Sequence, residues 1–216
     1  MTREITIRSR DGLTLEAALD EPEQSWGLVI LCHPHPQMGG TMNAPLLLAL
    51  RDEMVERGWV VLRFNFRGIG ASEGVSGDGV AEVADAGGAV DYAFEHFRHL
   101  PRAIAGWSFG AVVAIRLAAE ELLLRGCVAI APPVQEKPGI TAGLPPARKM
   151  ELLVPVLVIV GSNDEQVSPG ECAEWSISAG VEILPFPGAN HFFWAKYDAL
   201  AGTVGDWIQD KLLNAP

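Results

Sequence analysis

The chain has 216 residues, 49% hydrophobic and 20% charged, which predicts a single globular domain over residues 1–216 with a full core. Its formal net charge of −11 argues against nucleic-acid partners and anionic membrane surfaces, because both require a basic patch. The three cysteines are an odd number at wide spacing, and Cys32 and Cys127 fall in apolar runs, so we expect buried free thiols and a cytoplasmic protein.

The first hundred residues predict a hairpin followed by alternating strands and helices. Residues 4–8 and 13–19 alternate apolar and polar side chains around Asp11-Gly12, as an antiparallel hairpin does. This charged start does not resemble a signal peptide, and no apolar run approaches the ~18 residues of a membrane span. Buried strands are predicted at 26–32 and 59–64, and helices at 46–57 and 80–97.

Residues 102–118 predict a buried strand, a tight turn at Ser108 and a buried helix. A serine at such a corner adopts a strained backbone, and residues two before and two after it must lack side chains, as Gly106 and Gly110 do. This G-x-S-x-G pattern is the nucleophile elbow, which presents a serine hydroxyl at the carboxyl edge of a sheet. The alternative is a glycine-rich turn without chemistry.

The remaining residues continue the alternation, so the predicted fold is α/β, a mostly parallel sheet with helices on both faces. The predicted strands and helices are strands at 127–131, 156–161 and 181–186, and helices at 169–179 and 197–213. Residues 132–148 form an irregular, proline-rich connection. Because this connection is too short for a cap domain, we expect the site to be open or lightly covered.

Two residues after later strands can complete a catalytic triad with Ser108. Asp164 follows the strand at 156–161, and His191 follows the strand at 181–186 and is the only histidine after the elbow. In an open α/β sheet, both loops lie at the carboxyl edge, where a base for the serine and an acid for the base are needed. Glu165 competes with Asp164 for the acid role, and Asp164 could instead serve as a turn residue.

Two backbone N–H groups are needed to stabilise an oxyanion. One is expected from Phe109, directly after the nucleophile, and the other from the loop that begins at His33. Pro34 and Pro36 have no N–H, so we favour His35, with Gln37 as the alternative.

Two other motifs suggest a binding site, but the sequence supports neither site well. The pair His33 and His35 permits a metal site, but no further ligand follows nearby, so we expect no metal. The loop 67–74 is rich in glycine, but its third glycine comes one position late for a dinucleotide fingerprint, so we interpret it as a structural turn braced by Asn65 and Arg67.

Large apolar residues flank the candidate triad. Trp107 precedes the nucleophile, and residues 192–194 follow the histidine. We expect Trp107, Met38, Phe192 and Trp194 to contact substrate, with Phe193 and Met42 as further candidates for an acyl pocket. Core packing is the alternative for each of them.

The segments His33–Pro36, Gly39–Met42 and Leu62–Gly74, together with the elbow, resemble small cap-less bacterial α/β-hydrolases related to dienelactone hydrolases and esterase-like serine hydrolases. The resemblance covers nearly the whole chain. It implies an α/β-hydrolase fold with a sheet of about eight strands, the second antiparallel, a Ser-Asp-His triad and no cofactor. Dienelactone hydrolases carry cysteine where this chain has Ser108, which argues against that activity.

The sequence therefore predicts a cytoplasmic serine hydrolase that acts on a small-molecule acyl ester. A thioesterase or peptidase could use the same triad, and a non-catalytic binding protein could use the same fold.

Overall fold

The computed structural model describes residues 2–213, which form one eight-stranded sheet flanked by helices. The strands are β1 Thr2–Arg8, β2 Thr14–Asp20, β3 Gly27–Cys32, β4 Trp59–Phe64, β5 Arg102–Trp107, β6 Gly126–Ile130, β7 Val156–Gly161 and β8 Glu182–Phe186. The helices are α1 Pro45–Glu56, α2 Glu82–His96, α3 Phe109–Ala118, α4 Pro169–Ala179 and α5 Tyr197–Leu213, with short 3₁₀ turns at Pro36–Met38 and Ala147–Lys149.

The strand order is β1-β2-β4-β3-β5-β6-β7-β8. β2 pairs antiparallel with both β1 and β4, and all other neighbours are parallel. The predicted hairpin, the parallel sheet and the antiparallel second strand are therefore confirmed. β5, which precedes Ser108, lies between β3 and β6, so the loops after its neighbours lie beside its carboxyl end.

Two apolar layers cover the sheet because successive strand residues point to opposite faces. In β3, Leu28, Ile30 and Cys32 pack with α2, α3 and α4, while Val29 and Leu31 pack with α1 and α5. All residues of β3, β4, β5, β6 and β7 are buried, as predicted for the strands that correspond to β3, β4 and β5.

The observed ends of the elements lie close to the predicted ones, and the starts of β1 and α2 each differ by two residues. Helix α2 begins at Glu82 rather than at residue 80, because the Glu82 carboxylate accepts hydrogen bonds from the backbone N–H groups of Gly77 and Gly79. These hydrogen bonds hold the residues before Glu82 in a loop rather than in the helix. None of the helices formed by residues 2–213 combines the length and the apolar character that a membrane crossing needs.

Candidate active site

Ser108 occupies a strained turn between β5 and α3. Its backbone has φ 54° and ψ −113°, a conformation that costs ~1–3 kcal/mol for a residue other than glycine. A Cβ atom on Gly106 would lie 2.1 Å from the carbonyl oxygen of Gly110, and one on Gly110 would lie 2.3 Å from that of Cys32. The two glycines are therefore required by the close approach of α3 to β5 and β3.

The structure brings Ser108, His191 and Asp164 together, although they are far apart in sequence. The Ser108 hydroxyl oxygen lies 3.1 Å from Nε2 of His191, and Nδ1 of His191 lies 2.8 Å from Oδ2 of Asp164. All three residues are buried. A carboxylate can only accept, so Nδ1 of His191 carries a proton and its Nε2 is free to accept the hydroxyl proton of Ser108.

The loop after β7 orients Asp164. Its second carboxylate oxygen, Oδ1, accepts hydrogen bonds from the backbone N–H groups of Gln166 and Val167, both at 2.8 Å. Asp164 therefore acts as a turn residue through Oδ1, which was the alternative interpretation, and at the same time contacts His191 through Oδ2. The competing acid, Glu165, is exposed to solvent.

The loop after β8 reaches His191 through close backbone packing against the end of β7. A Cβ atom on Gly161 would lie 2.4 Å from the carbonyl oxygen of Ala189, so this contact requires a glycine. The indole N–H of Trp107 donates to the His191 carbonyl oxygen at 3.2 Å, which connects the histidine loop to the residue before Ser108.

The loop after β3 brings His35 beside Ser108. Nδ1 of His35 accepts the N–H of Gln37 at 3.1 Å, so the Gln37 N–H is already engaged. The His35 carbonyl accepts from Met38 and Gly40, and these bonds hold the loop in a tight turn. Among the described residues, no hydrogen-bond acceptor pairs with the backbone N–H of His35 or of Phe109.

The two histidines of this loop use all their ring nitrogens in hydrogen bonds. His33 donates from Nδ1 to the Pro34 carbonyl and accepts the N–H of Phe66 at Nε2, at 2.7 and 3.0 Å. His35 donates from Nε2 to the carbonyl of Ile140 at 2.9 Å. Burial lowers the pKa of His33 to about 4, so this ring is neutral at pH 7.

An apolar cleft of about 210 Å³ opens beside Ser108 and His191, and we call it the aromatic cleft. Met38, Trp107, Phe192 and Trp194, the four residues predicted to contact substrate, all line it. Phe192 and Trp194 stack with ring centroids 5.0 Å apart. Two other candidates lie elsewhere: Phe193 is fully buried in the core, and Met42 is buried and is not among the residues that line this cleft.

A second cleft of about 200 Å³ is also lined by Ser108, and we call it the lysine cleft. Its wall includes Lys137, Ile140 and Thr141, from the irregular connection after β6, and Gln166 and Val167, from the loop that carries Asp164. None of these residues was predicted to line the site. The signals for them are the irregular 132–148 segment, whose direction no local pattern specifies, and, for Gln166 and Val167, their closeness in sequence to Asp164.

The glycine-rich loop after β4 is braced as predicted. Asn65 accepts the N–H of Met42 and donates to Glu16, whose carboxylate also accepts the N–H of Ala71. Arg67 forms a two-pronged ion pair with the buried Asp85. Through Met42, this loop supports the segment that follows His35.

Comparisons with known proteins agree with this architecture. A curated relative, an uncharacterised protein of Rickettsia prowazekii, is 30% identical over 191 residues, which cover 84% of this chain and 78% of that protein. An α/β serine hydrolase homologue from Coxiella burnetii is 28% identical with a TM-score of 0.84, and covers 95% of this chain and 97% of its own. A Xanthomonas campestris protein described as an α/β serine hydrolase without lid is 29% identical with a TM-score of 0.83, and covers 100% and 97%.

The profile of a protein family matches residues 23–152, which is more than half of the chain. The matched segment includes Ser108 and the loop of His35 and ends before Asp164 and His191. Together with the lidless eight-stranded fold, this match shows that the chain belongs to the hydrolase family described as serine aminopeptidase, S33, within the α/β-hydrolases.

Proposed function

We propose that the protein is a serine hydrolase that cleaves small acyl esters through a Ser108-His191-Asp164 triad. The observation that carries this proposal is the continuous series of contacts from Ser108 Oγ to His191 at 3.1 Å and from His191 to Asp164 at 2.8 Å. A serine hydroxyl needs a base within hydrogen-bond reach to become a nucleophile, and the base needs an acid that orients it. Here the serine, the base and the acid are Ser108, His191 and Asp164, and they contact one another in that order at the carboxyl edge of the sheet.

In the proposed reaction, Oγ of Ser108 attacks the carbonyl carbon of the ester, and its proton passes to Nε2 of His191. The Asp164 carboxylate stabilises the imidazolium, which then gives the proton to the departing alcohol. This leaves an acyl group on Ser108. A water molecule, deprotonated by His191, attacks the acyl carbon, and the serine recovers its proton as the carboxylic acid leaves.

The oxyanion that forms on the carbonyl oxygen needs preorganised donors. We propose the backbone N–H groups of Phe109 and His35 for this role. Both lack an acceptor among the described residues, and Phe109 begins α3, whose N-terminal end carries partial positive charge. The engagement of the Gln37 N–H with the His35 ring argues against Gln37 as the second donor.

The lining of the two clefts suits an ester better than a peptide with a free N-terminus, which is the substrate that the family description implies. An aminopeptidase binds a charged α-amino group, and a buried or confined ammonium needs a carboxylate partner. No aspartate or glutamate is among the described residues that line the aromatic cleft or the lysine cleft. A small neutral acyl group, in contrast, fits the apolar lining of the aromatic cleft.

We also propose the cytoplasm as the site of action and a small molecule as the partner. Cys32, Cys127 and Cys172 are free and buried, and burial raises the pKa of each thiol, so they are inert core residues. Chains that leave the cytoplasm tend to form disulfides instead.

The test compares wild type, Ser108→Ala and Ser178→Ala on 4-nitrophenyl acetate, 4-nitrophenyl butyrate and an aminoacyl 4-nitroanilide. We expect Ser108→Ala to lower ester turnover by several orders of magnitude, because the nucleophile is lost. Ser178 is exposed on α4 and is the matched control, which should keep its activity. A fluorophosphonate probe should label wild type and not Ser108→Ala.

Three results would contradict the proposal. Unchanged ester turnover in Ser108→Ala would exclude this serine as nucleophile. Folded wild-type protein that resists the fluorophosphonate and hydrolyses no ester would favour a binding protein. Cleavage of the anilide with no cleavage of the esters would favour a peptidase.

A further inference from the structure

The aromatic cleft and the lysine cleft meet at the candidate nucleophile and differ in chemical character. Both are lined by His35, Met38, Ser108 and His191. A substrate whose reacting carbonyl lies at Ser108 therefore has one cleft available for each side of that carbonyl. The chemistry of the two walls then specifies the two ends of the substrate.

The aromatic cleft accepts an apolar group. Apart from the site histidines, Ser108 and the hydroxyl of Tyr197, its lining is apolar or backbone, and it carries no aspartate, glutamate, lysine or arginine among the described residues. Met38 and Trp194 are each 64% exposed at this cleft, although large apolar residues usually lie in the core. An apolar or aromatic substrate group would cover both of these side chains.

The lysine cleft has one cation and no anion among its described lining residues. Nζ of Lys137 donates a hydrogen bond to the Gln166 carbonyl at 3.1 Å, which leaves two of its three N–H groups available. Glu165 and Glu171 border an adjoining groove that Lys137 also lines, but no described carboxylate comes within 4.0 Å of the ammonium group. In a chain with a net charge of −11, this lysine supplies positive charge in a cleft that Ser108 also lines.

The wall that carries Lys137 is held in place by hydrogen bonds. Within residues 137–141, Lys137 and Thr141 exchange two backbone bonds of 2.8 and 2.9 Å. The His35 ring donates to the Ile140 carbonyl within this turn, and Arg116 donates to the carbonyl of Gly143 just after it, so the turn is attached to the rest of the molecule. The lysine cleft is therefore formed before substrate binds.

We propose that the substrates of this site are esters with an apolar or aromatic group on one side of the reacting carbonyl and a carboxylate on the other, and that Lys137 is the residue that selects the carboxylate. This inference rests on the proposed serine hydrolase function. It adds to that function the class of substrate. Because the Lys137 ammonium is exposed to solvent, its contribution to selectivity is modest and sensitive to salt.

The experiment measures kcat/KM for two pairs of esters at pH 7.5. One pair is monophenyl adipate and its terminal amide, with the charge on the acyl side. The other is 4-carboxyphenyl butyrate and 4-carbamoylphenyl butyrate, with the charge on the alcohol side. Each pair compares a carboxylate with a neutral group of nearly equal shape, and the readout is the charged-to-neutral ratio in wild type, Lys137→Gln, Lys137→Glu and Lys149→Gln.

We expect a ratio above one, up to about fivefold at low ionic strength, for at least one pair in wild type, falling as salt is added. The ratio should fall to about one in Lys137→Gln and below one in Lys137→Glu. Lys149 is exposed in the nearby 3₁₀ turn and lines neither cleft, so Lys149→Gln removes the same charge and should keep the wild-type ratio.

A wild-type ratio at or below one for both pairs would overturn the proposal, as would a preference that survives in Lys137→Gln or is lost in Lys149→Gln. These outcomes differ from a failure of the hydrolase function itself. In that case none of the four esters would be hydrolysed, or their hydrolysis would persist in Ser108→Ala.

Discussion

The two oxygens of the Asp164 carboxylate have separate partners: Oδ2 contacts His191 at 2.8 Å, and Oδ1 accepts the N–H groups of Gln166 and Val167. The backbone bonds fix the orientation of the carboxylate, and the carboxylate in turn fixes the ring of His191. The loop after β7, through Asp164, therefore determines which nitrogen of His191 faces Ser108.

Replacing Asp164 with Asn tests this relationship. The amide keeps the size of the side chain but can donate a proton to Nδ1, which would favour the tautomer with its proton on Nε2 and remove the acceptor for Ser108. For comparable triads, this change lowers kcat by ~10⁴-fold with the geometry intact. We expect a fall of about 10³–10⁴-fold in kcat for ester hydrolysis, measured by steady-state kinetics.

Glu165→Gln is the matched control, because Glu165 is the adjacent acid and points to solvent. It should retain wild-type kcat. Similar losses in both variants, or no loss in Asp164→Asn, would mean that Asp164 does not orient the base.

Replacing Gly110 with Ala tests whether the elbow requires its glycines. The new Cβ would lie 2.3 Å from the Cys32 carbonyl oxygen, and a backbone atom inside the sheet cannot rotate away. We expect the free energy of unfolding to fall by about 1–3 kcal/mol or more, measured by equilibrium urea denaturation.

Gly170→Ala is the comparison for this variant. Gly170 lies in α4, and a Cβ there would meet only Ser168 Oγ, at 3.7 Å. Because alanine is the better helix former, the free energy of unfolding should rise by up to about 1 kcal/mol. Equal effects of the two substitutions would show that α3 is not packed as closely on β3 as described.

The buried His33 predicts a loss of stability in acid. Its pKa is about 4 in the folded protein and about 6.5 in an unfolded chain. The unfolded state therefore binds the extra proton between these values, so the free energy of unfolding falls as the pH drops from about 6.5 to about 4, by about 3 kcal/mol in total. Above pH 6.5 this contribution is fully present.

The measurement is the free energy of unfolding against pH for wild type and His33→Gln. Glutamine can keep one donor and one acceptor but does not titrate, so the difference between the two proteins should shrink by about 3 kcal/mol from pH 7 to pH 4. His99→Gln, at an exposed position, should leave the wild-type slope unchanged. A constant difference between wild type and His33→Gln would show that His33 titrates normally.

Much of this fold follows from local patterns. Mostly apolar runs predicted β3, β4 and β7 because a strand covered on both faces has no solvent-facing side. The spacing of Gly106, Ser108 and Gly110 predicted the elbow because that turn forbids side chains at both glycine positions. The predicted bounds of α4 and α5 equal the observed ones. A capping serine followed by a proline marks the start of α4, and apolar periodicity marks α5.

The residues of the candidate triad could also be chosen from the sequence. Parallel strands bring their carboxyl ends to one edge, so polar residues in the loops after β5, β7 and β8 are expected at that edge. The residues Ser108, Asp164 and His191 stand in those three loops.

The tertiary structure alone decided which residues form the walls of the two clefts. Phe192 and Phe193 are adjacent in sequence, yet the positive φ of Phe193 turns the first toward the aromatic cleft and the second into the core. The bond from His35 to Ile140 joins residues 105 positions apart, and it makes an irregular segment into the wall of the lysine cleft. Periodicity and turn chemistry describe neighbours along the chain, whereas such contacts depend on how distant segments fill the space between them, which no local pattern encodes.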